Sequence, residues 1–189
     1  MTYNKEHEIE RRGPFKVTSR RIAYENPWIR VVEDRVIHPD DRQGIFGVIE
    51  IRCGRGGVAI LPIDKDKRIY LIREFMYAIN RYDVKVAGGG VEEGEDALFA
   101  AKREFREEFG VSAATWTPLG HVTHAPNIIR GGAQLFLAQD FDVDKLSPEE
   151  GIEVFTYDLE AAVQMVMEGA ITSSTTCCLI LKVARLLEV

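Results

Sequence analysis

Three carboxylates, Glu104, Glu107 and Glu108, stand at spacing i, i+3, i+4 in the run Glu95-Asp-Ala-Leu-Phe-Ala-Ala-Lys-Arg-Glu-Phe-Arg-Glu-Glu-Phe-Gly-Val. On a helix these positions fall within about 100° of one another, so the three acids share one face. Like charges that close repel, and stability alone does not favour gathering them. A hard divalent cation such as Mg²⁺ or Mn²⁺ removes the objection, because it takes carboxylate oxygens as ligands. The bland alternative is a glutamate-rich face that is simply solvated.

The residues around the acids favour the cation. Leu98, Ala101, Phe105 and Phe109 form an apolar stripe, so the helix can bury one side and present the carboxylates on another. Arg103 precedes the first acid and can brace the cluster by a bidentate contact. A glycine loop, Gly88 to Gly90, leads in. Gly94 precedes the pair Glu95-Asp96, which suits a helix N-terminus, and Gly110 stands where a left-handed residue would end the helix. The pattern predicts a helix over roughly 96–109.

This stretch resembles the box of the Nudix hydrolases, Gly-x5-Glu-x7-Arg-Glu-U-x-Glu-Glu-x-Gly-U, where U is bulky and apolar. Gly89, Glu95, Arg103, Glu104, Phe105, Glu107, Glu108, Gly110 and Val111 fill every specified position. With a chance of about 7% for each of the seven exact identities, coincidence is on the order of 10⁻⁸ per start position. The motif is therefore specific.

With 189 residues the chain can build one good core but not two ordinary domains. A net charge of −6 and the lack of a long basic run argue against a nucleic-acid-binding surface. An anionic substrate must then be received by local arginines and by metal. Cys53, Cys177 and Cys178 lack a zinc-ligand spacing and are expected to be reduced, with Cys177 and Cys178 packing as small apolar groups. No stretch could span a membrane and the N-terminus has no apolar leader, so a cytoplasmic location is expected.

Residues 1–14 read as a loose polar tail ending at Gly13-Pro14. Strands are expected at 15–24, 29–38 and 45–52, giving an antiparallel N-terminal sheet over 15–52. The core, 53–189, opens with an apolar pair, 58–63 and 68–73, joined by Asp64-Lys65-Asp66-Lys67 as a hairpin. A short strand at 84–86 enters the glycine loop. Further strands are expected at 116–123, 133–139 and 152–157, with 125–132 as a loop, and helices at 159–168 and 174–187. This order suggests an α/β fold, an α/β/α sandwich around a mixed sheet, which is also the fold that the resemblance implies.

The resemblance implies hydrolysis of a nucleoside diphosphate linked to another group. Water attacks a phosphorus of the pyrophosphate and a phosphate leaves, so charge neutralisation and a nucleophilic water are the main demands. It implies Mg²⁺ or Mn²⁺ on Glu104, Glu107 and Glu108, with the backbone carbonyl of Gly88 as a further ligand. Glu95 is expected to orient the loop or the helix start. Outside the box, Ala125-Pro126-Asn127 and Leu71-Ile-Arg73-Glu-Phe-Met-Tyr resemble the ADP-ribose pyrophosphatase branch, where Pro126 keeps the expected distance from Gly110. The substrate implied is ADP-ribose or another nucleoside diphosphate sugar.

Two positions depart from the branch. Lys85 stands where relatives often have a glutamate, and Gly131 stands where they carry an acid implicated as the base for water. Glu107 or Glu108 could then serve as base, or metal alone could acidify the water, with Arg103 completing the catalytic set. Arg73, Arg81 and Pro126 are candidate substrate contacts. Trp28 either offers an aromatic face to the base, as the branch does from a sheet swapped onto a second subunit, or is a core tryptophan. His121 and His124 are read as structural or peripheral. A homodimer is expected. The competing function is a Nudix module that binds such a ligand without turning it over, and Gly131 is the feature that favours it.

Overall fold

The computed structural model describes residues 10–52 and 56–188. In chain order its strands are β1 (Glu10–Arg12), β2 (Phe15–Glu25), β3 (Ile29–Ile37), β4 (Gln43–Ile51), β5 (Gly57–Pro62), β6 (Arg68–Met76) and β7 (Arg81–Lys85). After helix α1 (Ala97–Phe109) come β8 (Thr115–Thr123), β9 (Ile129–Arg130), β10 (Gly132–Gln139) and β11 (Glu153–Asp158), then α2 (Leu159–Met167) and α3 (Ser174–Leu186). The described residues divide into two compact units, 10–52 with 123–131 and 56–122 with 132–188.

The smaller unit is a sheet in the order β1-β2-β3-β4-β9. β2, β3 and β4 are antiparallel, as expected; β1 adds an antiparallel strand on β2, and β9 a short parallel edge on Ile49 and Glu50 of β4. Two expectations are corrected here. Residues 10–12 are strand rather than tail, because the Gly13-Pro14 turn folds them back onto Phe15 to Val17; residues 1–9 lie outside the described residues. The stretch 125–132 is not all loop, because Ala125 accepts from the backbone N–H groups of Ile128 and Ile129 and so turns the chain into β9.

On β3, Val32, Asp34 and Val36 alternate onto one face and are all buried. The aspartate among valines is tolerable because Arg20 holds it by two bonds, Nε to Oδ1 at 2.7 Å and Nη2 to Oδ2 at 3.0 Å. The Arg20 hydrogen bond keeps the Asp34 carboxyl below the usual carboxylate range.

The larger unit has two three-stranded sheets, β5-β10-β8 and β11-β6-β7. The expected turn at Asp64 forms: its Oδ1 accepts from the backbone N–H groups of Asp66 and Arg68, and Lys67 is left-handed. The hairpin does not follow. β5 and β6 meet only at the Ile63–Ile69 bridge, after which β5 runs parallel to β10 and β6 antiparallel to β11 and β7. The reason lies in their near-continuous apolar runs, which are buried on both faces.

Alternate residues then serve opposite cores. Val58, Ile60, Tyr70, Ile72 and Phe136 pack with Ala101, Phe105 and Phe109 of α1. Ala59, Leu61, Ile69, Leu71, Leu135 and Leu137 pack with Ala162 of α2 and with Leu179, Ile180 and Val183 of α3. One helix on one face and two on the other make the predicted α/β/α sandwich around mixed strands. Cys177 and Cys178 are reduced and pack against the second core, while Cys53 lies outside the described residues. Among the described residues no helix is long and apolar enough to cross a membrane.

Candidate active site

Helix α1 begins and ends as its sequence requires. Asp96 caps it by accepting from the backbone N–H of Phe99 at 2.9 Å, and Gly110 closes it with φ +73°. A side chain at Gly110 would also collide with the backbone of Ser147. The buried stripe is Ala100, Ala101, Phe105 and Phe109; Leu98 is exposed, and Ala97 makes the first-turn contact instead.

The same burial reaches one of the acids, so the three glutamates are unequal. Glu108 is 7% exposed and accepts from the backbone N–H of Gly88 at 2.8 Å. Burial pushes its carboxyl up to about 7, against the opposing charge of Lys85 and the Gly88 hydrogen bond. Glu104 lies against Gly89, where any Cβ would overlap its carboxylate, and burial raises its pKa too. Glu107 has a half-exposed side chain.

Gly88 sits at φ +147°, and a Cβ there would meet the carbonyl of Val58. Glycine is thus needed at both loop positions, once for the backbone and once for the carboxylate.

Arg103 braces the cluster, with a difference from expectation. Its bidentate partner is Glu95, bound through Nε and Nη2 at 3.0 Å each, while Nη1 reaches Glu104 at 2.8 Å and Glu107 at 3.1 Å. Nη2 also donates to the carbonyl of Gly90 at 2.9 Å. Glu95 in turn accepts from the backbone N–H of Glu92, so it ties the loop to the helix. Glu95 above all, and Glu104 after it, keep the guanidinium's pKa above its ordinary value, against the opposing effect of burial. Among the described residues no three acidic, histidine or cysteine side chains converge as a closed metal cage. The donor set nonetheless suits a hard cation: a buried carboxylate, Glu108, and a partly buried one, Glu104, both costly when ionised, line a glycine backbone on one helix face.

The remaining sequence candidates are placed as follows. Arg73 pairs with Glu153 through Nη1 at 3.1 Å and lies over the ring of Tyr82, 4.5 Å from its centroid. Arg81 binds Asp83 and the hydroxyl of Thr172, each at 3.1 Å. Trp28 is 70% exposed, so it is not a core tryptophan; its backbone is held by Asn26 Oδ1, which accepts from its N–H. Pro126 is exposed in the turn before β9. Arg130 pairs with Glu50 at 2.7 Å, and Gly131 lies against Ile51 and Ile129. The His121 ring abuts Gly132, and the His124 backbone N–H donates to Gly131.

Sequence reasoning missed the Lys85–Glu74 pair at 3.1 Å. The charge reversal at Lys85 was the signal, since a cation beside Glu108 needs a partner of its own.

A family model described as the NUDIX domain matches residues 55–164, and one described as the nucleoside diphosphate sugar hydrolase N-terminal domain matches 15–49. The chain is 27% identical over 125 residues to an ADP-ribose pyrophosphatase of Bacillus subtilis (strain 168), covering 64% of this chain and 68% of that protein. It is 32% identical over 96 residues to the ADP compounds hydrolase NudE of Escherichia coli (strain K12), covering 51% of each. The crystal structure of an ADP compounds hydrolase matches with a TM-score of 0.80 at 21% identity, over 95% of this chain and 97% of that one. At that identity the last match shows a common fold.

Proposed function

Since the chain belongs to the Nudix hydrolase family, a membership its NUDIX domain match over 55–164 establishes, we propose that it cleaves the pyrophosphate of ADP-ribose or a related nucleoside diphosphate sugar. The products are a nucleoside monophosphate and a sugar phosphate. The observation that carries this reading is Glu108, buried and fixed by Gly88, beside Glu104 against Gly89. Relatives named for ADP-ribose and ADP compounds support the substrate class.

Glu104, Glu107, Glu108 and the Gly88 carbonyl would hold Mg²⁺ or Mn²⁺. When bound, the ion supplies neutralisation of the phosphate oxygens and lowers the pKa of water. Arg103 keeps Glu104 and Glu107 oriented through its anchorage on Glu95 and Gly90, so the acids need no reorganisation when substrate arrives. Glu107 or Glu108 takes the proton of the attacking water, since Gly131 cannot.

Arg73, Arg81, Pro126 and Trp28 are proposed substrate contacts, the exposed indole of Trp28 stacking on the base. We also place the protein in the cytoplasm as a homodimer joined through the 15–52 sheet, whose exposed Ile22, Tyr24 and Ile45 are apolar surface that a second copy would cover.

The test is product release from a panel of nucleotide sugars with Mg²⁺. Wild type should turn over, and Glu108→Gln should lose on the order of 10²-fold or more of kcat while staying folded. Gly131 favours a second reading, a module that binds the ligand without hydrolysis. Tight binding with no product from any member of the panel would select it.

A further inference from the structure

Where β6 turns into β7 lies a cavity that the glutamates do not line. Its ≈ 370 Å³ falls within the range of small-molecule sites, and its lining runs from the Met76–Ile79 turn to Arg81 and Lys85 on one side and Thr172 and Ser173 on the other. One wall is the short 3₁₀ turn Tyr77–Ile79, closed by Asn80 at φ 52°. The other is the connection between α2 and α3. Arg81 joins the two walls by its bond to Thr172.

The lining is chemically two-sided. Met76, Ala78 and Ile79 are apolar, whereas Arg81 and Lys85 bring two cations against one acid, Asp83. Both of Arg81's bonds, to Asp83 and to Thr172, use Nη2. A guanidinium has five N–H donors in a planar fork, and among the described residues those on Nε and Nη1 have no partner and can serve a ligand. Lys85 donates to Glu74 at 3.1 Å, and an ammonium has three donors. The hydroxyls of Thr172 and Ser173 add donors on the facing wall.

Lys85 also ties the cavity to the reacting end of the molecule. Its charge acts on Glu108, and it stands three residues before Gly88, which binds Glu108. Lys85 is thus shared between the cavity's lining and the surroundings of Glu108.

We infer that this cavity is the subsite for the sugar phosphate half of the substrate, holding its phosphate on Arg81, Lys85 and Thr172 and its carbon skeleton on Met76, Ala78 and Ile79. The inference rests on the proposed hydrolase function and adds which residues retain the leaving product. Such a site would make the sugar phosphate a product inhibitor.

The test is equilibrium binding of ribose 5-phosphate, with ribose, inorganic phosphate and AMP as comparison ligands. Ribose 5-phosphate should bind more tightly than ribose or inorganic phosphate. Arg81→Gln should weaken it by about 10-fold or more, the loss expected for charge-assisted bonds, and Thr172→Val by less. AMP binding should not change in either variant. In turnover assays Arg81→Gln should raise KM and relieve inhibition by ribose 5-phosphate in the same proportion.

Unchanged ribose 5-phosphate affinity in both variants would overturn the inference, as would an equal loss for AMP. Inorganic phosphate binding as tightly as ribose 5-phosphate would overturn the role given to the apolar wall. Glu108→Gln keeps the two claims apart: it should lose on the order of 10²-fold or more of kcat yet bind ribose 5-phosphate as wild type does. Full turnover in that variant would sink the hydrolase mechanism without touching the subsite result.

Discussion

Replacing Arg103 by methionine tests how the acidic face is held. The side chain keeps its length and loses its charge, so the change removes five hydrogen bonds: two to Glu95, one each to Glu104 and Glu107, and one to the Gly90 carbonyl. Adding single-bond energies would overshoot, because the bonds share one group and are not independent. The better comparison is a buried ion pair broken from one side, which costs about 3–5 kcal/mol because the partner charge stays buried. Glu95 and Glu104 have side chains only 7% and 15% exposed, while Arg103 itself is 22% exposed. Partial solvation places the loss at the lower end, about 3 kcal/mol.

Urea unfolding should read this loss as a lowered midpoint with an unchanged slope. Thermal unfolding should show a fall of roughly 6–12 °C for a chain of this size. A second measurement separates the clamp from general damage. With the guanidinium gone, the carboxylates lack a cation, so added Mg²⁺ should stabilise Arg103→Met more than wild type. Glu95→Gln should lose less, because an amide oxygen can still accept from Arg103. A loss under about 0.5 kcal/mol in Arg103→Met, within the range of ordinary surface substitutions, would refute the clamp.

The other predictions concern the smaller unit and the base. Asp34 titrates below its ordinary value because Arg20 binds its ionised form, so its contribution to stability is present above the unfolded value of about 3.9 and fades as pH falls through the lower folded value. Acid unfolding followed by circular dichroism should therefore show a loss of stability below about pH 4 that is smaller in Asp34→Asn, which should itself be less stable at neutral pH; parallel curves would contradict this. Sedimentation at micromolar concentration should give a dimer, and a monomer there would remove the role proposed for the 15–52 sheet. Gly131→Glu should alter the rate or its pH profile, since among the described residues a Cβ there meets only side-chain carbons of Ile51 and Ile129 at 3.3 and 3.6 Å and the backbone is not left-handed. His124→Ala should do little, and abolished turnover with intact ligand binding would make that histidine the base.

What the sequence disclosed, and what it hid, divides along the range of the interactions involved. The ends of α1 were legible because caps are local: Asp96 and Gly110 act within a few residues of themselves. The two-sided burial of β5 and β6 was legible from composition, yet their pairing was not. A turn such as Asp64 to Lys67 specifies only that the chain reverses, and partner choice is settled by β10 and β11, far along the chain.

The same distinction orders the site. That Glu104, Glu107 and Glu108 share a face follows from helical geometry alone. That they differ, Glu108 buried and Glu107 half exposed, depends on a core assembled from β5, β6 and β10. Arg103 was expected beside the acids, but its bidentate partner, Glu95, lies eight residues back in a loop whose course periodicity cannot trace. Thr172 was beyond reach for the same reason: Arg81 meets it across 91 residues of sequence. A motif can therefore name the reacting groups, because they must share one rigid element, while groups that grip the rest of a substrate come from wherever the fold brings chain together. Functional differences within such a family are to be sought in that second set, at positions such as Lys85, Arg81 and Gly131, and not in the box.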